Sequence, residues 1–344
     1  MSDVDNPDLK LVDWQPKCQM VVKGSQISKP KYPVIDMHNH LRRLDEAEKY
    51  LQAMDAAGVW KCVDLDAASK DDLYKDHLRV YGSVSPDRFL LFFRPDLTRI
   101  DEPDFGKKEA GELEGAVELG VRGLKIGKDL GLGVRDHAGR LIGVDDPRLD
   151  PIWAKCGELG IPVLIHVSDP KAFFEPFDEN NERYEELAGR PDWLFHGSEY
   201  PAKKEILDQR NRVFRRHPET VFIGAHVATM PEELHTVGIW LDRYPNLYVD
   251  ISARISELGR QPYTARRFLI EYQDRVMFGT DTPCDADAYR VYYRFLETDD
   301  EYFDPSGGHH SQGRWMIYGV YLPDQVLEKI YNANALRVLD MIKA

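Results

Sequence analysis

Cysteine is scarce in this 344-residue chain: there are four, at positions 18, 62, 156 and 284, and no CxxC pair. They read as reduced thiols of a cytoplasmic protein, although isolated cysteines do not exclude a disulfide. Positive charge is in deficit. Lysine and arginine total 45 against 59 acids, a net charge of −14. That balance argues against nonspecific nucleic-acid binding and against an anionic membrane surface. It leaves a small anionic ligand open, because a local cationic pocket overrides an average. No apolar run approaches the roughly 18 residues of a membrane span. The opening residues 1–8 lack the basic and apolar regions of a signal peptide. Low-complexity linkers and internal repeats are absent as well, so nothing divides the chain.

What is present is apolar material for a large core, 42% hydrophobic against 30% charged. From Pro33 onward, apolar runs alternate with amphipathic stretches. Strands are expected at 34–40, 59–65, 89–94, 121–126, 162–166, 221–226, 246–251 and 276–281. Helices are expected at 45–57, 70–80, 107–119, 147–159, 201–216, 231–244, 264–272, 285–297 and 323–342. Gly58, Gly120 and Gly160 stand where three of them should stop. Strict alternation implies a parallel sheet. Eight strands fit a closed (β/α)8 TIM barrel, a fold of roughly 250 residues before insertions. Residues 1–32 read as an N-terminal extension, with Val21 and Val22 as a short strand, and residues 33–344 as a single barrel domain. Long connections at 127–146, 168–200 and 298–322 all follow strands. Loops of that length are commonly functional. The 168–200 stretch carries Phe173, Phe174, Phe177, Tyr184, Trp193 and Phe195 and reads as a packed cover.

The chemistry begins at His38 and His40, in the first strand. Alternate residues of a strand share a face, about 7 Å apart, close enough to grip one divalent ion. His166, His226 and Asp281 end later strands, and Lys125 ends the fourth. In a parallel barrel all these strand ends open onto one face. His38, His40, His166 and Asp281 then form an N3O donor set suited to zinc first, with manganese, iron or nickel also compatible. Asp281 is both a ligand and a candidate general base; its plainer alternative is a helix cap ahead of Pro283. His226 either touches the metal, hydrogen-bonds a water or polarises a substrate carbonyl. Gly123, Gly224 and Gly279 each lie two residues before such a strand end. Equal parity would put all three in one inward layer, unless they mark bulges. His77, His217 and His235 read as bystanders, His309 and His310 as part of a polar loop, and Cys284 as a packed thiol.

Arg94 ends the third strand, and Arg254 follows the seventh. With Lys125 they would ring the site with positive charge and bind an anionic substrate. Alternatively Arg94 pairs with Asp96, and Arg254 with Asp250.

The run Asp36-Met37-His38-Asn39-His40, together with His166, His226, Gly279-Thr280-Asp281 and the terminal 330–339 segment, resembles the amidohydrolase superfamily. The nearest branch is similar to the one that includes aminocarboxymuconate-semialdehyde decarboxylase. The resemblance spans about residues 33–342. It implies one metal on His38, His40, His166 and Asp281, with His226 acting beside it or on the substrate. Members of that branch are hydrolases, nonoxidative decarboxylases and hydratases. Some binuclear relatives carry a carboxylated lysine on the fourth strand, which makes Lys125 either a substrate-binding ammonium or a metal bridge. The leading expectation is a metal-dependent hydrolase of a small carboxylate-bearing amide, ester or lactone. The alternatives are a decarboxylase or hydratase on the same scaffold, and a noncatalytic metal-binding barrel. Its partner would be a small molecule, with homo-oligomerisation possible.

Overall fold

In the computed structural model, which describes residues 8–10, 13, 17–306 and 312–340, eight parallel strands pair in sequence order. They are β1 (Val34–Asn39), β2 (Val59–Ala68), β3 (Phe89–Arg94), β4 (Gly123–Ile126), β5 (Val163–Ile165), β6 (Phe222–Gly224), β7 (Leu247–Asp250) and β8 (Val276–Met277). Met37 N donates to Phe278 O at 3.0 Å, and Asp281 N to His38 O at 2.7 Å. These bonds return the end of the sheet to its beginning, nearly closing a (β/α)8 barrel. Helices alternate with the strands on the outside. Those at Ala47–Ala57 and Asp150–Leu159 stop at Gly58 and Gly160, whose φ of 78° and 71° only glycine adopts freely.

Alternation along the strands sorts the apolar residues into two cores. Val34, Cys62, Leu124, Val163 and Phe222 pack outward against helix residues such as Leu113 and Trp153. Ile35, Met37, Leu65, Phe92, Leu164 and Met277 form a separate inner cluster with Ala335, Val338 and Leu339 of the last helix. Asn332 Nδ2 donates to Pro33 O at 2.6 Å, and Asn334 Nδ2 to Gln273 O at 2.7 Å. Both acceptors precede their strands, so this helix stoppers the N-terminal end of the barrel. The opposite end remains for polar groups.

Several expectations are corrected. β6 and β8 end well before His226 and Asp281. The segment expected as one helix at 323–342 is broken by a π-turn at Lys329–Ala333, and an unforeseen helix forms at Ile255–Arg260. Val21 and Val22 form no strand and lie exposed. Chain 23–31 is tied to the body by Lys23 on Asp299 at 2.6 Å and Ser25 N on Asp300 at 2.6 Å. Gly123 and Gly279 face inward, where a Cβ would strike the Phe92 ring at 2.6 Å and approach His38 Cβ at 3.0 Å. Gly224 does not join them. Its neighbours would be Ala228 and Leu247, because Ile223 and Ala225 take the inner side. Parity counted backward from His226 fails because the chain leaves the strand conformation at that residue.

The 168–200 connection is built from short helical turns. Phe173 and Phe195 are buried, whereas Phe177 and Tyr184 stack on each other near the surface at 4.5 Å. His309 and His310 lie outside the described residues.

Candidate metal centre

Each functional side chain sits where a strand loses regularity. In β1 the register with β2 shifts between Asp36 and Asn39. The buried Asp36 carboxylate organises that irregularity. It accepts His38 N at 3.1 Å, Thr280 N at 3.1 Å, Thr280 Oγ1 at 2.7 Å and the Asn39 amide. Burial raises its pKa to about 6 against those bonds. His226 opens a left-handed turn, with φ between 52° and 59° at His226, Val227, Ala228 and Thr229. Such backbone is costly for L-residues and concentrates at functional sites. Arg210, fully enclosed, holds the turn by donating to Ala228 O at 2.7 Å. Asp281 also has positive φ, 62°. It is not a helix cap: the following helix starts at Ala286 and is capped by Asp285, which accepts from Ala288 N at 2.8 Å.

The imidazoles of His38, His40, His166 and His226 converge, with ring centroids of His38 lying 4.7 to 6.5 Å from the other three. Their outward nitrogens meet acceptors. His38 Nδ1 is 2.9 Å from Asp250 Oδ2, His40 Nδ1 is 3.0 Å from both Asp66 oxygens, and His226 Nδ1 is 2.8 Å from Ser252 O. Ser252 Oγ, itself bonded to Asp250, also lies 2.9 Å from His38 Nδ1. These acceptors place the proton on Nδ1 and leave Nε2 with a lone pair. The inward nitrogens then face carboxylate oxygens. Asp281 Oδ1 is 3.4 Å from Nε2 of His38 and of His40, and Asp281 Oδ2 is 3.7 Å from His226 Nε2. Acceptors confronting acceptors in a buried site repel unless a cation or proton stands between them. His166 adds Nδ1 at 3.3 Å from His226 Nε2, and its own Nε2 is buried without a hydrogen-bond partner. This donor set fits a divalent ion. The most compact trio is His38, His226 and Asp281, whose ligand atoms lie within 4.8 Å of one another.

The electrostatics agree. Burial, followed by the Lys125 charge, holds His38 well below the usual imidazole range, and burial also lowers His166 and His226. Burial raises Asp281, opposed by the nearby His40 and His166. Burial would raise Asp66 too, but the His40 bond and charge together with the Arg42 and Arg94 charges outweigh it and leave Asp66 low.

Lys125 is buried with Nζ 3.5 Å from His38 Nε2, and burial pulls its pKa down to about 8. Arg254 is also buried. Its guanidinium donates to Ala253 O at 2.7 Å, its Nε has no partner, and no carboxylate lies within 4.0 Å among the described residues. Asp250 serves His38 and Ser252 instead. Arg94 does pair, with Asp129 at 3.4 Å rather than with Asp96. All three cations line a cavity of about 1280 Å³ shared with His40, His166, His226 and Asp281. Trp193 and Phe173 of the 168–200 cover form part of its wall. Cys284 packs at 3.6 Å from Cys62, and His217 pairs with Asp150 away from this cavity.

Sequence reasoning passed over Asp36, Asp66, Asp169 and Ser252, and weighed Asp250 only as a partner for Arg254. The available signal was an acid inside or just beyond an apolar strand, as at Asp64-Leu65-Asp66 and Val249-Asp250. Such acids are rarely buried without a partner.

Comparison with known proteins supports this reading of the fold. No curated protein matches the chain. Among solved structures, a dihydroxybenzoic acid decarboxylase from Polaromonas with bound manganese and 2-nitroresorcinol is 16% identical, with TM-score 0.57 over 91% of this chain and 98% of that one. A 4-oxalomesaconate hydratase from Rhodopseudomonas palustris is 15% identical, with TM-score 0.54 over 90% and 96%. An amidohydrolase from Burkholderia multivorans with bound zinc is 14% identical, with TM-score 0.52 over 90% and 99%. The amidohydrolase family model matches residues 20–341, and the chain belongs to that family.

Proposed function

We propose that this protein is a metal-dependent hydrolase of a small carboxylate-bearing amide, ester or lactone. The observation that carries the proposal is the pairing, in one cavity, of inward imidazole lone pairs around Asp281 with two buried cations, Lys125 and Arg254, that lack a carboxylate within ion-pair distance among the described residues. His38, His40, His166 and Asp281 would hold one divalent ion, zinc first, with His226 close enough to share it. Such an ion polarises a carbonyl and brings the pKa of a water toward about 7.

The protein's own groups do the rest. Lys125 and Arg254 dock the substrate carboxylate, and the guanidinium fork matches it geometrically. Asp281 takes the proton of the attacking water and returns it to the leaving group. His226, with Nδ1–H held on Ser252 O, offers a lone pair at Nε2. It therefore accepts a proton or binds the ion; it does not donate to an oxyanion. The aromatic cover limits water entry, which strengthens each charge interaction inside.

A lyase reading has its own support. Burial raises Asp281, so its carboxyl can retain a proton for delivery to carbon after carbon dioxide departs. Similar folds include a decarboxylase and a hydratase. Turnover of a panel of carboxylates, lactones and amides in oxygen-18 water separates the two. Label in the new product carboxyl group, corrected for exchange, is the expected result. Unlabelled product with evolved carbon dioxide would replace hydrolysis by decarboxylation and leave the metal site standing.

A further inference from the structure

Asp169 lies at the root of the 168–200 cover, enclosed at 3% exposure. Its two oxygens face different partners. Oδ1 is 3.5 Å from His166 Nε2, and Oδ2 is 3.0 Å from Lys128 Nζ. Lys203 Nζ clamps the same residue's backbone, donating to Asp169 O at 2.8 Å. The Lys128 ammonium in turn sits over the Trp193 ring, 3.8 Å from its centroid, and within 5.9 Å of the Phe195 ring. Trp193 stacks on buried Phe173 at 6.0 Å. One contiguous chain of contacts therefore runs from an inward imidazole to the aromatic wall of the cavity.

We propose that Asp169 is a positioning residue that couples the orientation of His166 to the seating of the aromatic cover, through Lys128 and Trp193. The inference rests on the metal-site reading above. The Asp169 carboxylate lies 3.5 Å from His166 Nε2, close enough to favour the proton on that nitrogen without a formed hydrogen bond, so Nδ1 carries the lone pair and points at the site. Lys128 neutralises the far side of that carboxylate and is held there by the Trp193 face. When the cover leaves, Lys128 loses its π partner and the carboxylate loses its fixed direction. By linkage, a cover that favours metal binding must itself be favoured by metal, by the same factor.

The test is metal affinity, measured by competition of zinc between the 344-residue chain and a chromophoric chelator. Far-UV circular dichroism and elemental analysis of the wild type run alongside. Asp169→Asn should weaken zinc binding by about 10- to 100-fold, the range typical of partners that orient a ligand imidazole. Trp193→Ala should weaken it about 3- to 10-fold, an intermediate expectation for an outer link in such a chain. Trp193→Phe, which keeps an aromatic face, should restore most of that loss. Lys128→Met combined with Trp193→Ala should weaken binding no more than the stronger single change, since both break the same link. Zinc addition should also change the fluorescence that Trp193→Phe removes. Folded Trp193→Ala and Lys128→Met variants with wild-type zinc affinity would overturn the coupling. A wild-type protein that binds no zinc, manganese, iron or nickel would instead defeat the metal-site reading beneath it.

Discussion

The two ends of the barrel are made from the same strands and behave as different materials. At the N-terminal end, despite one register shift between Val34 and Ile35, the residues Ile35, Met37, Leu65, Phe92 and Leu164 all turn inward and close against Val338 and Leu339. At the C-terminal end, the same strands break their rhythm: a register shift before Asn39, another between Asp64 and Ala67, and left-handed backbone at His226 and Asp281. Apolar burial rewards regular alternation, whereas a metal-binding set needs several nitrogens and oxygens aimed at one point. That aim requires departures from the pleat, and the dry floor supplies the stability that tolerates them.

The largest expected effects would break this contrast if they failed to separate. His38→Ala and Asp281→Ala should abolish stoichiometric metal, read by elemental analysis of protein purified without chelator, while the fold persists by circular dichroism. Leu164→Ala, wholly buried in the floor, should do the reverse. It should cost about 2–5 kcal/mol in denaturant unfolding and keep its metal. Both His38→Ala and Asp281→Ala retaining full metal would mean the site is misassigned.

How much of this was legible in the sequence follows the same division. Regular segments were readable: β3 falls at 89–94 as expected, and Gly58 and Gly160 stop their helices where the pattern places them. His38, His40, His166, His226 and Asp281 were singled out because they stand in or at the end of apolar runs, and the structure brings their side chains together. What lies behind them was not. Asp66 matters through His40, Asp250 through His38, and Asp169 through His166, and each partner comes from a different stretch of chain. No local pattern states such a pairing. Gly224 was placed on the wrong face for a related reason: counting by twos presumes a strand that runs on to His226, and β6 has already ended.

Lys125 gives an intermediate test, because it is a mouth residue enclosed as tightly as the floor. Its pKa falls from the ordinary 10.5 to about 8, chiefly through burial. Between those values the unfolded chain binds more protons at this position than the folded one, so metal-free stability should rise with pH across that window. Below about pH 8 the whole penalty is in place. Lys125→Met should therefore stabilise the apoprotein at pH 7 by on the order of 3 kcal/mol, at about 1.4 kcal/mol per tenfold. The wild-type advantage of alkaline pH should shrink in the variant by the same amount. As a substrate ligand Lys125 leaves metal content at about one ion when mutated. Two ions about 3.5–4 Å apart in the wild type, lost in the variant, would make it a bridge.

The smallest expected effect sharpens the contrast within the mouth itself. Arg94 and Arg254 both line the cavity, but their circumstances differ. Arg94 is 38% exposed and already engaged with Asp129 at 3.4 Å. A pair of that kind, screened by water, contributes about 0–1 kcal/mol. Arg94→Met should therefore move unfolding free energy by less than about 0.5 kcal/mol and weaken carboxylate binding only a few-fold. Arg254 is enclosed, with one backbone carbonyl as its hydrogen-bond acceptor and an unpartnered Nε. Burying a guanidinium without a carboxylate costs stability, so Arg254→Met should leave unfolding free energy unchanged or raise it. A carboxylate that meets this guanidinium gains a charge-assisted bond of about 1.5–3 kcal/mol. Calorimetric titration with a panel of small carboxylates should then show affinity falling roughly 10- to 100-fold in Arg254→Met for the ligands that bind. Equal losses in the two variants would mean that exposure and prior pairing do not distinguish these arginines, and the anion site would have to be redrawn around the mouth as a whole.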